Sequence, residues 1–361
     1  MKAKILIIGS TGKLGSKLLK YAYANDIKIF AATCFNNKKK LLSQKLKYNI
    51  DNTFILSEQN ERDNFLKFLT SKISLIYFLD FGSSSLIYLN KFLNYNNNST
   101  IAIANKEMII AGGKILFKKF KSTNTKFIPL DSEHFSLKNS LQNNNIKKIY
   151  ITASGGPFFF KKKLSIENVS LSQVKAHPKW KMGLNNLIDS SNFINKLLEI
   201  FELSYIYDIP LNKIDFLVSK EAFIHSVVEY HDGICSLNTF KNDMLITLSH
   251  PLIKFSKNQN HISSKNYLFN TKNFQLNFKY DKRFILFKYY KKALKFNHQE
   301  QINFMLLNNI AQNLYLSGKL KYANLIPYSI NRLKKMKKNH EFKSLIDIVK
   351  YINNFKQNHD F

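Results

Sequence analysis

The chain has 361 residues, 55 of them basic and 24 acidic, for a formal net charge of +31. A hydrophobic content of 45% and an aromatic content of 14% exclude an intrinsically disordered chain, and the length has room for two or three domains. The charge invites a nucleic-acid reading, but only Arg62, Arg283 and Arg332 are arginines; scattered lysine among abundant Asn, Ile, Phe and Tyr reads as the bias of an AT-rich genome, not as a groove of phosphate-clamping forks.

In chain order, Ile5–Ile8, Lys28–Thr33, Leu75–Leu79, Thr100–Ala104 and Lys126–Leu130 read as strands, and Lys13–Ala24 and Glu61–Ser71 carry helical periodicity. Strands alternating with helices mean βαβ units and a parallel sheet. From 151 the character changes. A Gly155-Gly156-Pro157 turn leads into a polar stretch with His177-Pro178 and Trp180, Asp189–Phe201 reads as a helix, and residues 214–240 give short strands joined at Asp232-Gly233. Beyond 283, lysine- and asparagine-rich amphipathic stretches suggest helices. The expected fold class is α/β: a Rossmann-like parallel sheet in 1–150, an α+β domain in 151–282 and a small C-terminal helical domain in 283–361. Cys34 and Cys235, the only cysteines, offer neither a disulfide framework nor a zinc spacing. No apolar run approaches the ~20 residues of a membrane helix. The expectation is a soluble, cytoplasmic protein without membrane or nucleic-acid partners.

Three of the chain's 11 glycines fall in Gly9-Ser10-Thr11-Gly12-Lys13-Leu14-Gly15, directly after the first strand and opening a helix. Glycine there permits a tight turn and the close approach of a pyrophosphate to backbone N–H groups, so the segment is a relative of the dinucleotide fingerprint. An NAD-preferring site places an acid at the end of the second strand to bind the ribose 2′-hydroxyl. Here stand Thr33-Cys34-Phe35-Asn36-Asn37 and then Lys38-Lys39-Lys40, with no acid to repel a 2′-phosphate, which favours NADPH. The three lysines are equally readable as a solvated helix face.

Acid is scarce, so Asp131-Ser132-Glu133-His134 stands out. At a strand end, residues i and i+2 share a face, which would present two hard oxygen ligands together. Such a pair does not readily stay doubly ionised without a cation, and oxygen-only ligands suit Mg²⁺ or Mn²⁺. Farther on, a helix over 189–203 would put Asn195 and Glu199 on one face, with Asp189 or Ser190 near its N-terminus and Lys196 adding charge. That is either a phosphate pocket beside a third carboxylate or an N-capped surface helix.

Taken together, these segments resemble the 1-deoxy-D-xylulose 5-phosphate reductoisomerase family. The matching blocks run in family order: the glycine segment 9–15, Ala104-Asn105-Lys106-Glu107, Asp131-Ser132-Glu133-His134 and Ser154-Gly155-Gly156-Pro157-Phe158. Then come His177-Pro178 with Trp180, Met182 and Gly183, Asp189-Ser190 through Asn195-Lys196 and Glu199, and Ile224-His225-Ser226 followed by Tyr230 and Asp232-Gly233. The likeness is clear from residue 5 to about 250 and fades beyond.

The resemblance implies isomerisation of a ketose phosphate, 1-deoxy-D-xylulose 5-phosphate, and reduction by NADPH to 2-C-methyl-D-erythritol 4-phosphate, in non-mevalonate isoprenoid precursor biosynthesis. It implies that Asp131, Glu133 and Glu199 hold the divalent metal, that Lys106 lies near the metal-bound atoms, and that Ser132 contacts substrate oxygens. Ser154, Ser190, Asn195 and Lys196 would bind the phosphate, and His177 and Trp180 would belong to a lid over 154–186. Gly9, Ser10, Thr11, Gly12, Lys13, Leu14, Asn37, Asn105, Glu107 and Gly183 would line the cofactor, and a homodimer is implied. Met182 and Met244 match positions near substrate or nicotinamide, or simply pack. His134 either orients a ligand or packs; His225 reads as a satisfied interior histidine.

The chain departs from the family at Phe35-Asn36, Leu184-Asn185, Leu197, Ser219-Lys220-Glu221 and Asn308-Asn309, none of them a metal ligand. The rival readings are another NADP-dependent dehydrogenase, whose semialdehyde type needs a nucleophilic cysteine in a catalytic loop, and a lysine-rich nucleic-acid-binding protein.

Overall fold

Runs of consecutive apolar residues, with no polar alternation, build the central strands of the first sheet. A computed structural model of the chain describes residues 3–141, 145–161, 166, 169–176, 183–255, 275–278, 280–337 and 340–359. Strands β1 (Ile5–Ile8), β2 (Ala31–Cys34), β3 (Asn52–Ile55), β4 (Leu75–Phe78), β5 (Thr100–Ile103) and β6 (Lys126–Pro129) are all parallel, in the order β3-β2-β1-β4-β5-β6. Every residue of β1, β2, β4 and β5 is buried, as expected of a parallel sheet covered by helices on both faces. The strand order reverses between β1 and β4, where open α/β sheets bind their ligands beyond the strands' carboxyl ends.

The chain divides into two compact units, and both are interleaved in sequence, where three consecutive stretches were expected. The first comprises Met1–Phe135, Asp243–Asn266 and Phe342–Asn358. Its core includes Ile5, Ile7, Leu18, Leu19, Leu75, Tyr77, Ala102 and Ile128, and it accepts Leu248 and Leu252 from the second stretch. The Tyr77 hydroxyl donates to the Leu248 carbonyl at 2.9 Å, which satisfies a phenol that would otherwise be stranded in the interior. The helix Leu345–Gln357 buries Leu345, Ile348, Ile352 and Phe355 against the helices Leu86–Tyr95 and Lys106–Ser122. The last helix therefore belongs to the first unit, with the N-terminal parallel sheet.

The second unit comprises Ser136–Asn242, Tyr267–Glu341 and His359–Phe361. Its sheet orders β7 (Ile146–Ala153), β8 (Ile214–Val218), β9 (Ile224–Tyr230), β10 (Cys235–Thr239) and β11 (Asn277–Phe278) as β10-β9-β7-β8-β11; only the β7–β8 pair is parallel. The expected turn between β9 and β10 is present. Gly233 has φ +86°, and the Ile234 N–H donates to the Asp232 side chain at 3.0 Å. The nearly all-buried helix Ile194–Ile206 packs on β7 and β8, and Phe193, Phe216, Phe284 and Phe287 form an aromatic cluster beside it. Among the described residues, no helix is long and apolar enough to cross a membrane.

Candidate active site

In the first unit, the chain leaves β1 through a turn that tolerates no side chain at two points. Gly9 has φ +82°, and a Cβ there would lie 2.8 Å from the backbone nitrogen of Asp80. At Gly15 a Cβ would lie 2.4 Å from the Gly9 carbonyl oxygen. The turn is thus pressed against both the backbone just after β4 and its own helix, Lys13–Ala24, for which Gly12 is the N-cap. Thr11, Gly12, Lys13 and Leu14 are at least partly exposed there, as an anion site at a helix N-terminus requires. Ser10 is fully buried: its hydroxyl donates to the Thr33 carbonyl at 3.1 Å and to the Gln44 side chain at 2.9 Å, and its N–H donates to the Thr33 carbonyl at 2.9 Å.

Asn37 caps the helix Lys38–Lys47 by accepting from the Lys40 N–H at 3.1 Å. Lys38 pairs with Glu58 at 3.4 Å, and Lys40 donates to the Thr11 carbonyl at 2.7 Å, so two of the three lysines already have local partners. Cys34 is buried in β2, and burial pushes its thiol up, which unsuits it as a nucleophile.

Asn105 caps the helix Lys106–Ser122. Its carbonyl accepts from the Met108 N–H at 3.0 Å, and its amide donates to the Gly82 carbonyl at 2.9 Å. Beside it lie two carboxyl groups that burial drives toward the neutral form. Asp80, just after β4, is raised to about 6, with Ser85 and Asn105 hydrogen bonds working the other way; Glu107 is also raised by burial, its own backbone amide opposing. Asp80 carried no signal in the sequence, where it follows an apolar strand without any motif.

The carboxylate pair Asp131 and Glu133 arises differently from the strand-end geometry expected. β6 stops at Pro129, and Ser132–Ser136 is a short helix. Asp131 caps that helix, its Oδ1 accepting from the Glu133 N–H at 3.1 Å, so the two acids are gathered by a cap and first turn and not by strand alternation. The Lys106 ammonium lies 2.6 Å from Asp131 Oδ2, with both side chains largely buried. The Ser132 hydroxyl donates to Glu133, and buried His134 brings Nδ1 to 3.9 Å from Asp131 Oδ1.

In the second unit, Glu199 is 2% exposed, accepts from the Asn195 amide, and lies 2.6 Å from the Lys196 ammonium. The expected single helix over 189–203 is two helices, Leu184–Ser191 and Ile194–Ile206, broken at Phe193 with φ +67°. Asp189 and Ser190 therefore sit at the end of one helix, not at the start of the next. Buried Asp189 accepts from Asn308 at 2.9 Å and from Gln312 at 2.6 Å, a structural tie to the helix His298–Leu316. An asparagine at 308 supplies the donor that an acid would lack.

Ser154 follows β7, and the turn after it packs on the helix carrying Ser190: a Cβ on Gly156 would lie 2.8 Å from the Ser190 carbonyl oxygen. Ser154, Ser190, Asn195 and Lys196 thus belong to contiguous elements of one unit. Leu197 is buried inside its helix. His225 is buried, hydrogen-bonds the Phe240 carbonyl at 3.0 Å and stacks on that ring, as an interior histidine should. Met244 starts the helix Met244–Ser249 in the first unit and packs on its core. Gly183 is exposed at the N-cap of Leu184–Ser191. His177, Trp180 and Met182 lie outside the described residues.

Residues 127–207 match the family model of the 1-deoxy-D-xylulose 5-phosphate reductoisomerase C-terminal domain. A 1-deoxy-D-xylulose 5-phosphate reductoisomerase from Pelagibacter ubique is 30% identical, across 98% of this chain and 97% of that protein. A second, from Sulfurihydrogenibium sp., is 31% identical across 92% and 91%. The chain belongs to the 1-deoxy-D-xylulose 5-phosphate reductoisomerase family. Its fold is shared with a solved reductoisomerase described as in complex with NADPH, fosmidomycin and magnesium, at a TM-score of 0.83 and 20% identity over 99% of this chain and 98% of that one. For this family member, the departures at 35–36, 184–185, 197, 219–221 and 308–309 leave Asp131, Glu133, Glu199 and the glycine turn in place.

Proposed function

We propose that this chain isomerises 1-deoxy-D-xylulose 5-phosphate and reduces the product with NADPH to 2-C-methyl-D-erythritol 4-phosphate, using Mg²⁺ or Mn²⁺. The observation that carries this reading is the relation to reductoisomerases over nearly the whole length at 30% identity. The solved relative bound to NADPH, fosmidomycin and magnesium supports the same cofactors.

The residues fit both cofactors. Asp131, Glu133 and Glu199 would hold the divalent cation: all three donors are hard carboxylate oxygens, and lysines beside Asp131 and Glu199 already offset charge there. When bound, such a cation supplies Lewis-acid polarisation of substrate oxygens. The glycine turn and the first turn of Lys13–Ala24 would bind the pyrophosphate through backbone N–H groups. Ser154, Ser190, Asn195 and Lys196 would bind the substrate phosphate, Lys106 and Ser132 would orient its oxygens, and His177 and Trp180 would cover it, excluding water. Asn105 and Glu107 would border the nicotinamide end, and Gly183 the lid's edge.

We extend the proposal to a homodimer, tested by light scattering. Cytoplasmic residence fits the two free thiols, Cys34 and Cys235. The deciding experiment is NADPH oxidation with the ketose phosphate, with and without divalent metal. Turnover that survives excess chelator would remove the metal from the mechanism.

A further inference from the structure

The helix Lys38–Lys47 carries five lysines in ten residues, yet Gln44 on it is only 6% exposed. A buried carboxamide is costly unless its polar atoms are satisfied. Gln44 Oε1 accepts from the Ser10 hydroxyl at 2.9 Å, while Nε2 donates to the Ser10 carbonyl at 3.0 Å and to the Ser16 hydroxyl at 3.3 Å. One side chain therefore engages the hydroxyl and the carbonyl of Ser10, in the middle of the glycine turn, and the helix that follows it. One helical turn earlier, Lys40 holds the Thr11 carbonyl at 2.7 Å. From the other side, the Ser10 N–H donates to the Thr33 carbonyl at 2.9 Å and the Gly9 N–H to the Thr33 hydroxyl at 3.3 Å. All these residues lie in the first unit.

We infer that Gln44 is a positioning residue for the dinucleotide: it clamps the Ser10 side of the glycine turn so that the backbone N–H groups facing outward stay aimed at the pyrophosphate. This rests on the NADPH reading above. Gln44 reaches no reacting atom, so its loss leaves the chemistry of the bound complex alone. Without it, the Ser10 hydroxyl keeps only the Thr33 carbonyl and the Ser10 carbonyl only the Ser16 hydroxyl, the turn loses its tie to the helix Lys38–Lys47 and samples other conformations, and the cofactor has to reorder it on binding.

The test uses the full chain with Gln44→Leu and, as a variant of similar length, Gln44→Met. NADPH affinity is read by cofactor fluorescence without substrate, and kcat and both KM values by turnover. The expected result is NADPH binding weakened about tenfold, with kcat and the ketose-phosphate KM within about twofold of the parent. Ser10→Ala should weaken NADPH binding in the parent but add little in the Gln44→Leu background, because the hydroxyl's tie to the helix Lys38–Lys47 is already gone and only the Thr33 carbonyl remains to it. If Gln44→Leu does not fold, Gln44→Met and Ser10→Ala carry the test. Unchanged NADPH affinity in the Gln44 variants, additive effects with Ser10→Ala, or a fall in kcat matching the loss of affinity would each overturn the assignment. A parent chain that binds NADPH but does not turn over the ketose phosphate would overturn the proposed reaction and leave Gln44 to be judged by fluorescence. A parent that binds no NADPH would overturn this inference as well.

Discussion

Glu199 is nearly inaccessible to solvent and already faces the Lys196 ammonium, so its charge is compensated within its own helix. Glu199→Gln keeps the shape and the Asn195 neighbour but removes one hard anionic donor. We expect kcat to fall on the order of a thousandfold, the equivalent of several kcal/mol of lost charge stabilisation, with an unchanged far-UV circular dichroism spectrum. A variant with parental turnover would show that Glu199 is not a ligand.

Asp80 gives a pH signature of its own. Its carboxyl titrates at about 6 in the folded chain because it is buried, against roughly 3.9 when unfolded. Between those values the folded chain binds more protons than the unfolded one, so stability from this group is full below about pH 4 and lost as pH rises through about 6, on the order of 1–3 kcal/mol in total. Asp80→Asn escapes that loss. Relative to the parent, the variant's Tm should rise by a few degrees between pH 4.5 and pH 7.5; a difference that does not change with pH would contradict the burial argument.

At this scale the sequence was informative where a residue type was rare. Two acids in a basic chain marked 131 and 133, although a helix cap, not a strand face, brings them together. Gln44 was invisible because a glutamine in a lysine-rich helix carries no sign of burial; only its spacing from Leu41, also buried, hints at an inward face.

Among the elements, the β1 turn is the most constrained. Gly15→Ala would push a methyl group into the backbone of Gly9 and Ser10, at 2.4 and 2.5 Å, where no side chain can swing aside. We expect NADPH affinity, measured by cofactor fluorescence, to fall at least about tenfold, since the backbone cradle has to open by a large fraction of an ångström. Parental affinity in a folded Gly15→Ala chain would remove the turn from the cofactor site. Apolar strands and the helix Lys13–Ala24 were legible because their periodicity is local. The strand Asn52–Ile55 was not, since only Phe54 and Ile55 are apolar and its partner β2 supplies the order. Nor was the break at Phe193, a bulky residue in a left-handed conformation whose ring is held by Phe216 and Phe284. Tertiary packing, not propensity, decides that break.

For the whole molecule, the order of residues along the chain misleads about the order of units. The helix Leu345–Gln357 returns to the unit that begins at the N-terminus, and only its stripe of Leu345, Ile348, Ile352 and Phe355 records the fact. Periodicity reveals such a stripe but not the surface it meets. Ile348 is fully buried there, so Ile348→Ala should cost about 2–5 kcal/mol in urea unfolding of the first unit; a loss under about 0.5 kcal/mol would mean the helix is not docked in solution.

The central claim is that this family member reduces the isomerised ketose phosphate with NADPH in a metal-dependent reaction. Its most direct test follows NADPH absorbance as the purified chain meets 1-deoxy-D-xylulose 5-phosphate, first in chelator and then after addition of Mg²⁺ or Mn²⁺. The account predicts no oxidation in chelator, rapid oxidation once metal is added, and 2-C-methyl-D-erythritol 4-phosphate formed in equal amount to the NADPH consumed. Oxidation indifferent to metal, or none under any condition with a folded chain, would contradict it.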